Sequence, residues 1–183
     1  KSAGIMNNVK IGLITIAGGR GDQSYNDGAL RGVEMWGAGK KYTAGGYQPL
    51  SAAELNASIP AYLKDAGIAP LGITPVVLNA KAPEEYEPDL NLLVAQKVEL
   101  AIGLSSLSEN SLAAVAKTNP QARFLVIDPP LNSAGKPLAL ANIKSAVFHE
   151  EEGSYLAGVL AALASRTGKL GFVGGIERPL IQK

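Results

Sequence analysis

Ten consecutive residues, Ala17 to Asn26 (AGGRGDQSYN), carry three glycines, an Arg, an Asp, a Ser, a Tyr and an Asn directly after the first strongly apolar run of the chain. Glycines let a backbone approach a ligand closely. Tyr25 offers a ring for stacking, and Asn26 offers a donor and an acceptor on one amide. Three chemistries compete for such a stretch: a phosphate cradle, an Arg-Gly-Asp adhesion motif, and a grip on a neutral polar ligand with a planar part. The phosphate reading fails on spacing. Gly19-Arg20-Gly21-Asp22-Gln23-Ser24 ends in Ser where the dinucleotide fingerprint needs a third Gly, and no Gly-Lys-Ser/Thr occurs in the chain. Asp22 would also repel the anion. The adhesion triplet is short enough to arise by chance, and a strand-to-helix turn is not a protruding hairpin tip. The polar, planar ligand remains, beside the plainer alternative that Tyr25 packs in the core and Asn26 merely caps a helix.

Catalysis and metal binding find little material. The chain has one histidine, His149, and no cysteine, so neither a Cys- or His-rich metal site nor a thiolate is available. Asp22 and Asp128 are acids that a shared sheet edge can bring together, but nothing in their spacing demands general acid–base work. We therefore expect no catalytic residue, no metal and no cofactor. A net charge of +1 gives no basic patch for nucleic acid. No apolar run reaches membrane-spanning length. The opening KSAGIMNN is too polar and short for a signal peptide, so the chain is either cytosolic or has its export signal upstream.

Short apolar runs alternate with helical periodicity along the chain. Strands are expected at Val9–Gly18, Ile73–Ala80, Val98–Leu104, Arg123–Pro130, Asn142–Phe148 and Lys169–Gly175. Helices are expected at Ser24–Tyr42, capped by Ser24, at Glu85–Lys97, at Ser108–Asn119, capped by Ser108, and at Glu150–Gly168. Small residues along the last helix suit close packing in the core, and His149 reads as surface or boundary. This rhythm predicts an α/β fold, a doubly wound parallel sheet flanked by helices. Residues 43–71 break the rhythm. Ser51 and Glu54 form a capping-box pattern, and Pro60 splits an apolar stripe, which predicts one or two extra short helices on an edge. A buried strand such as GFVGG should not be the last element of a complete parallel domain, so a longer protein is expected.

In open parallel sheets ligands bind at the carboxyl ends of the strands. That edge gathers Gly19, Asp22, Ser24, Tyr25, Asn26, Ser105, Ser106, Ser108 and Asp128.

Several of these stretches together resemble one family. GLITIAGGRGDQSYNDGALRGVE, EYEPDLNLLVAQKVELAIGLS, NPQARFLVIDPP and FHEEEGSYLAGVLAALASRTGKLGFVGGIERPLI are similar to successive blocks of the basic membrane lipoproteins, the purine nucleoside receptor group of ABC-transporter substrate-binding proteins. The resemblance implies a Rossmann-like lobe of a type I periplasmic binding protein. Residues 1–168 would be the N-terminal ligand-binding lobe, with an inserted segment at 43–71, and 169–183 the start of a second lobe. It implies a non-enzymatic importer component outside the cytoplasm, in the periplasm or at the cell surface. Its partners would be ABC permease subunits, and a lipid anchor upstream of this chain would tether it to the membrane. The ligand would be a purine nucleoside held between two lobes; a regulatory lobe that senses a ligand and signals to a partner is the alternative.

Carried over position by position, Gly18, Gly19, Asp22, Ser24 and Asn26 match the family's first loop, and Tyr25 stands where the family has a Phe stacked on the base. The family's early acid is replaced by Ile16 or Ala17, and an adjacent acid by Gly21, which removes polar contacts available to a nucleoside. Asp128 matches the acid after the fourth strand, while Ser105 and Ser106 occupy a Gly-rich loop of the family. The ligand-binding set implied is Gly19, Asp22, Ser24, Tyr25, Asn26, Ser105, Ser106 and Asp128.

Overall fold

The computed structural model describes residues 8–104, 108–128 and 140–174. Its frame is a five-stranded sheet built from β1 (Lys10–Thr15), β4 (Thr74–Asn79), β5 (Leu100–Leu104), β6 (Phe124–Ile127) and β7 (Ile143–Ala146). The order is β4-β1-β5-β6-β7 and every pairing is parallel. Chain order reverses between β1 and β5, so the loops leaving these two strands flank the topological switch point.

Neighbouring residues of β1 point to opposite faces, as strand geometry requires. Ile14 joins a core with Tyr86, Leu90 and Leu93 of α3 (Tyr86–Ala95) and Leu112 and Val115 of α4 (Glu109–Thr118). Leu13 joins a second core with Leu30 and Val33 on the helix that follows β1. The sheet is therefore covered on both faces, which is why its strands read as continuous apolar runs.

That helix begins as α1 (Tyr25–Leu30) and widens into a π-helical stretch over Arg31–Gly37. It ends before Lys40, so the expected helix to Tyr42 is too long. Lys40–Thr43 is instead β2, which pairs antiparallel with β3 (Gly46–Pro49). This hairpin belongs to the segment where only helices were expected. Helices do follow it: α2 (Ala52–Ser58), held by the full Ser51–Glu54 capping box, then a 3-10 turn over Ala61–Ala66 after Pro60. Trp36 is half-buried, with its indole N–H donating 3.0 Å to Ser58 Oγ of α2.

The end of the described chain departs from expectation. α5 (Glu150–Ala164) stops before Gly168, and its residues are exposed along its whole length, so its small residues pack no core here. Residues 169–174 pair with no strand among the described residues. His149 lies exposed at the N-terminus of α5, near Glu151 and Glu152.

Candidate ligand site at the carboxyl edge

β1 ends at Thr15, whose hydroxyl donates to Asn79 Oδ1 at 2.6 Å and lies 3.3 Å from the Leu78 carbonyl. The carboxyl ends of β1 and β4 are thereby joined. The next residue, Ile16, is pinned by Asn26: the Ile16 N–H donates to Oδ1 at 2.9 Å, and the Asn26 amide donates to the Ile16 carbonyl at 3.2 Å. Asn26 is 0% exposed. Its amide closes the loop by tying the first turn of α1 back onto β1.

Between these points the chain makes a tight excursion. Gly18, Gly19 and Gly21 have φ of +103°, +56° and +93°, and Gln23 also lies in the left-handed region. Gly19 is fixed by space as well as by φ, because a Cβ there would lie 2.6 Å from Asn79 Oδ1. The buried phenol of Tyr86 meets the backbone of Ala17, and burial raises its pKa.

Two aspartates organise the loop's backbone. Asp22 accepts from the N–H groups of Ser24 at 2.9 Å, Asn26 at 3.0 Å and Asp27 at 3.1 Å. Asp27 accepts from Gly21 at 2.8 Å and Gln23 at 3.0 Å. The Asp22 carboxyl is held below its ordinary pKa, chiefly by the Ser24 N–H. Asp22 therefore does the capping expected of Ser24, whose hydroxyl makes no capping bond. Five N–H groups that a phosphate cradle could point at its anion, those of Gly21, Gln23, Ser24, Asn26 and Asp27, are already taken by carboxylates.

Tyr25 is half-buried, and its hydroxyl donates to Asp128 Oδ2 at 2.9 Å. Burial first, and the Asp128 carboxylate second, push its phenol above the ordinary tyrosine value. Asp128, just past β6, has φ +68°, a left-handed conformation that costs a non-glycine residue energy and recurs at functional sites. Of the expected ligand-binding set, then, Tyr25 and Asp128 meet directly and Ser24 lies exposed beside them, while Gly19, Asp22 and Asn26 shape the loop from within. Ser105 and Ser106 lie outside the described residues. Ser108 is buried at the N-terminus of α4, and its hydroxyl donates to the Leu104 carbonyl at 3.0 Å without capping the helix.

Sequence reasoning gave no role to Thr15, Asp27 and Asn79. A polar residue at the carboxyl end of each of two apolar strands was the available signal for Thr15 and Asn79. Asp27, in the first turn of α1, was legible only as a helix-dipole acid. Two surface depressions, of about 450 Å³ beside Met35 and Pro60 and about 490 Å³ beside Lys97 and Arg123, lie away from this edge. They hold none of its polar groups. No helix among the described residues is long and apolar enough to cross a membrane.

Comparison with known proteins adds to this geometry. Residues 9–183 match the family described as ABC transporter substrate-binding protein PnrA-like. The chain is 26% identical over 183 residues to the ABC transporter nucleoside-binding protein BmpA of Lactococcus lactis, covering all of this chain and 42% of that protein. It is 35% identical over 107 residues to basic membrane protein A of Borreliella burgdorferi, covering 58% of this chain and 30% of that one. The chain thus spans less than half the length of these relatives. Among solved structures, an ABC transporter solute-binding protein from Aeropyrum pernix superimposes with a TM-score of 0.57 at 22% identity, over 84% of this chain and 32% of that one. That likeness supports the α/β frame.

Proposed function

This chain belongs to the PnrA-like family of ABC transporter substrate-binding proteins, and we propose that it forms one wall of a ligand cleft in a two-lobed binding protein that delivers a purine nucleoside to an importer. The observation that carries the reading is the Tyr25–Asp128 pair at the carboxyl edge, beside the switch point of the sheet. Tyr25 offers an aromatic face, held in orientation through its hydroxyl. Asp128 keeps an acceptor oxygen for a ribose hydroxyl or a base N–H, and the exposed Ser24 hydroxyl adds a neutral partner. The description of the Lactococcus relative as nucleoside-binding supports the ligand class. Recognition without turnover suits a site whose carboxylates are used in folding the loop or in holding Tyr25. An extracytoplasmic location, permease partners and a lipid anchor belong to the same reading.

Calorimetry on the full-length protein against inosine, adenosine and guanosine tests the ligand. Binding of at least one, weakened more than tenfold by Tyr25→Ala through lost stacking, is the expected result. Absence of binding to all three, with tight binding of another solute, overturns the nucleoside assignment.

A further inference from the structure

The hairpin in the 40–49 region is absent from the β-α-β rhythm, yet its side chains converge on the ligand loop. Arg20 stands between two left-handed glycines, residues whose backbone is intrinsically permissive. Its guanidinium donates to both carboxylate oxygens of Glu34, each at 2.7 Å. Glu34 lies in the π-helical stretch, with its side chain only 4% exposed. Tyr47 of β3 donates its hydroxyl to the same carboxylate at 2.6 Å. Tyr42 of β2 places its ring 4.3 Å beneath the guanidinium, and Tyr47 meets that ring edge-on at 5.1 Å. A forked, two-point ion pair stacked on an aromatic ring fixes a guanidinium in position and orientation.

We propose that the β2–β3 hairpin is a strut for the ligand loop: through Tyr42, Tyr47 and Glu34 it immobilises Arg20, and so holds the backbone that presents Ser24 and Tyr25 in its binding-competent form. The proposal rests on the reading of this loop as the ligand grip. Arg20, Glu34 and Tyr47 are positioning residues and touch no ligand. The physical gain is preorganisation. A loop with four left-handed residues has many alternative conformations, and apparent affinity falls in proportion to the fraction of molecules in the competent one. The ion pair, buried on its Glu34 side, selects one loop conformation, a specifying use of ion pairs.

The test combines amide hydrogen exchange with inosine calorimetry on the full-length protein, comparing wild type with Arg20→Gln, Arg20→Lys, Glu34→Gln, Tyr47→Phe and Tyr25→Ala. In Arg20→Gln and Glu34→Gln the amides of Gly19, Gly21 and Gln23 should exchange about tenfold faster, with sheet amides such as Leu13 and Val126 unchanged. Inosine affinity should fall about tenfold in step. Tyr47→Phe should move both readouts by about threefold, and Arg20→Lys should recover only part of the loss, because a lysine keeps the charge but not the fork. Unchanged loop exchange overturns the strut, and so does equal acceleration in the sheet, which marks a role in the whole fold. If Tyr25→Ala abolishes inosine binding while Arg20→Gln leaves it intact, the strut fails and the grip reading stands. If Tyr25→Ala leaves inosine binding intact, the grip reading fails, and the loop exchange rates judge the strut by themselves.

Discussion

The hydroxyl of Tyr25, on the first turn of α1, donates to a carboxylate oxygen of Asp128 at 2.9 Å, joining residues 103 positions apart at the carboxyl edge of the sheet. The bond orients the ring and satisfies an acid whose own backbone is in the left-handed region. Tyr25→Phe removes one hydrogen bond to a charged acceptor and should cost about 1 kcal/mol, given that the pair is only half-buried. Asp128→Ala removes the acceptor and forces alanine into φ > 0, for about 2 kcal/mol together. Asp128→Asn keeps an acceptor and tolerates that backbone, so it should lie closest to wild type. Urea unfolding of the three variants gives the ranking.

The tyrosines provide a spectroscopic check on the same bond. Burial and a neighbouring carboxylate raise both Tyr25, beside Asp128, and Tyr47, beside Glu34, well above the ordinary value of 10.0. A raised phenol pKa means that the folded state favours the neutral form. The stability it contributes is complete below pH 10 and is lost as pH rises through the folded value. At pH 10, therefore, Tyr25→Phe and Tyr47→Phe should each give the same tyrosinate absorbance as wild type, since the deleted phenol was not ionised there. A loss of one-sixth or more of the wild-type signal would show these hydroxyls to be free.

Acid should act first on the loop and the hairpin. In the folded chain Asp22 sits below its ordinary 3.8, chiefly through the Ser24 N–H, and Glu54 falls from 4.5 to about 2, chiefly through Lys41 and then Ser51. Depressed carboxyls stabilise the folded state fully above their unfolded values, and that stability is lost as pH falls through the folded ones. Tm should be level above pH ~5 and decline from there toward pH ~2. Glu54→Gln and Asp22→Asn should each make the decline shallower. Both variants should start from a lower plateau at neutral pH, which calorimetry resolves.

The frame of the fold was legible because each central strand is buried on both faces, and FLVI and LAIGL can be little else. The β2–β3 hairpin was not, since KKYT and GYQP are short, polar and partly exposed. Its faint signal was the Ala44-Gly45 turn, followed by Gly46, between Tyr42 and Tyr47, a pattern that marks a hairpin when two flanking aromatics can pair across it. The capping box at Ser51 was readable because it is a local pattern in four residues. The division of labour within the Gly18–Asn26 loop was not. Sequence alone places Asp22, Tyr25 and Asn26 together, but whether each faces the ligand or the loop depends on partners as distant as Asp128. The strut was hidden for the same reason: Arg20, Glu34 and Tyr47 carry no shared spacing and meet only through the π-helical turn.

Asn26 gives the sharpest test of that division. Its fully buried amide both accepts from and donates to the Ile16 backbone. Asn26→Ala leaves the Ile16 N–H without its partner, while the Ile16 carbonyl keeps the Gly19 N–H, and should cost about 1–3 kcal/mol. Asn26→Asp is nearly isosteric, but at neutral pH it sets a carboxylate against the Ile16 carbonyl in a buried site. Burial and that repulsion raise its folded pKa, so the penalty is present above the folded value and shrinks as pH falls through it. Protonated, the carboxylic acid again offers one donor and one acceptor. The Tm gap between Asn26→Asp and wild type should therefore narrow on acidification from pH 7 to pH ~4, while the gap for Asn26→Ala stays constant. A constant gap for both variants would mean that the Asn26 side chain faces water or ligand instead of the end of β1.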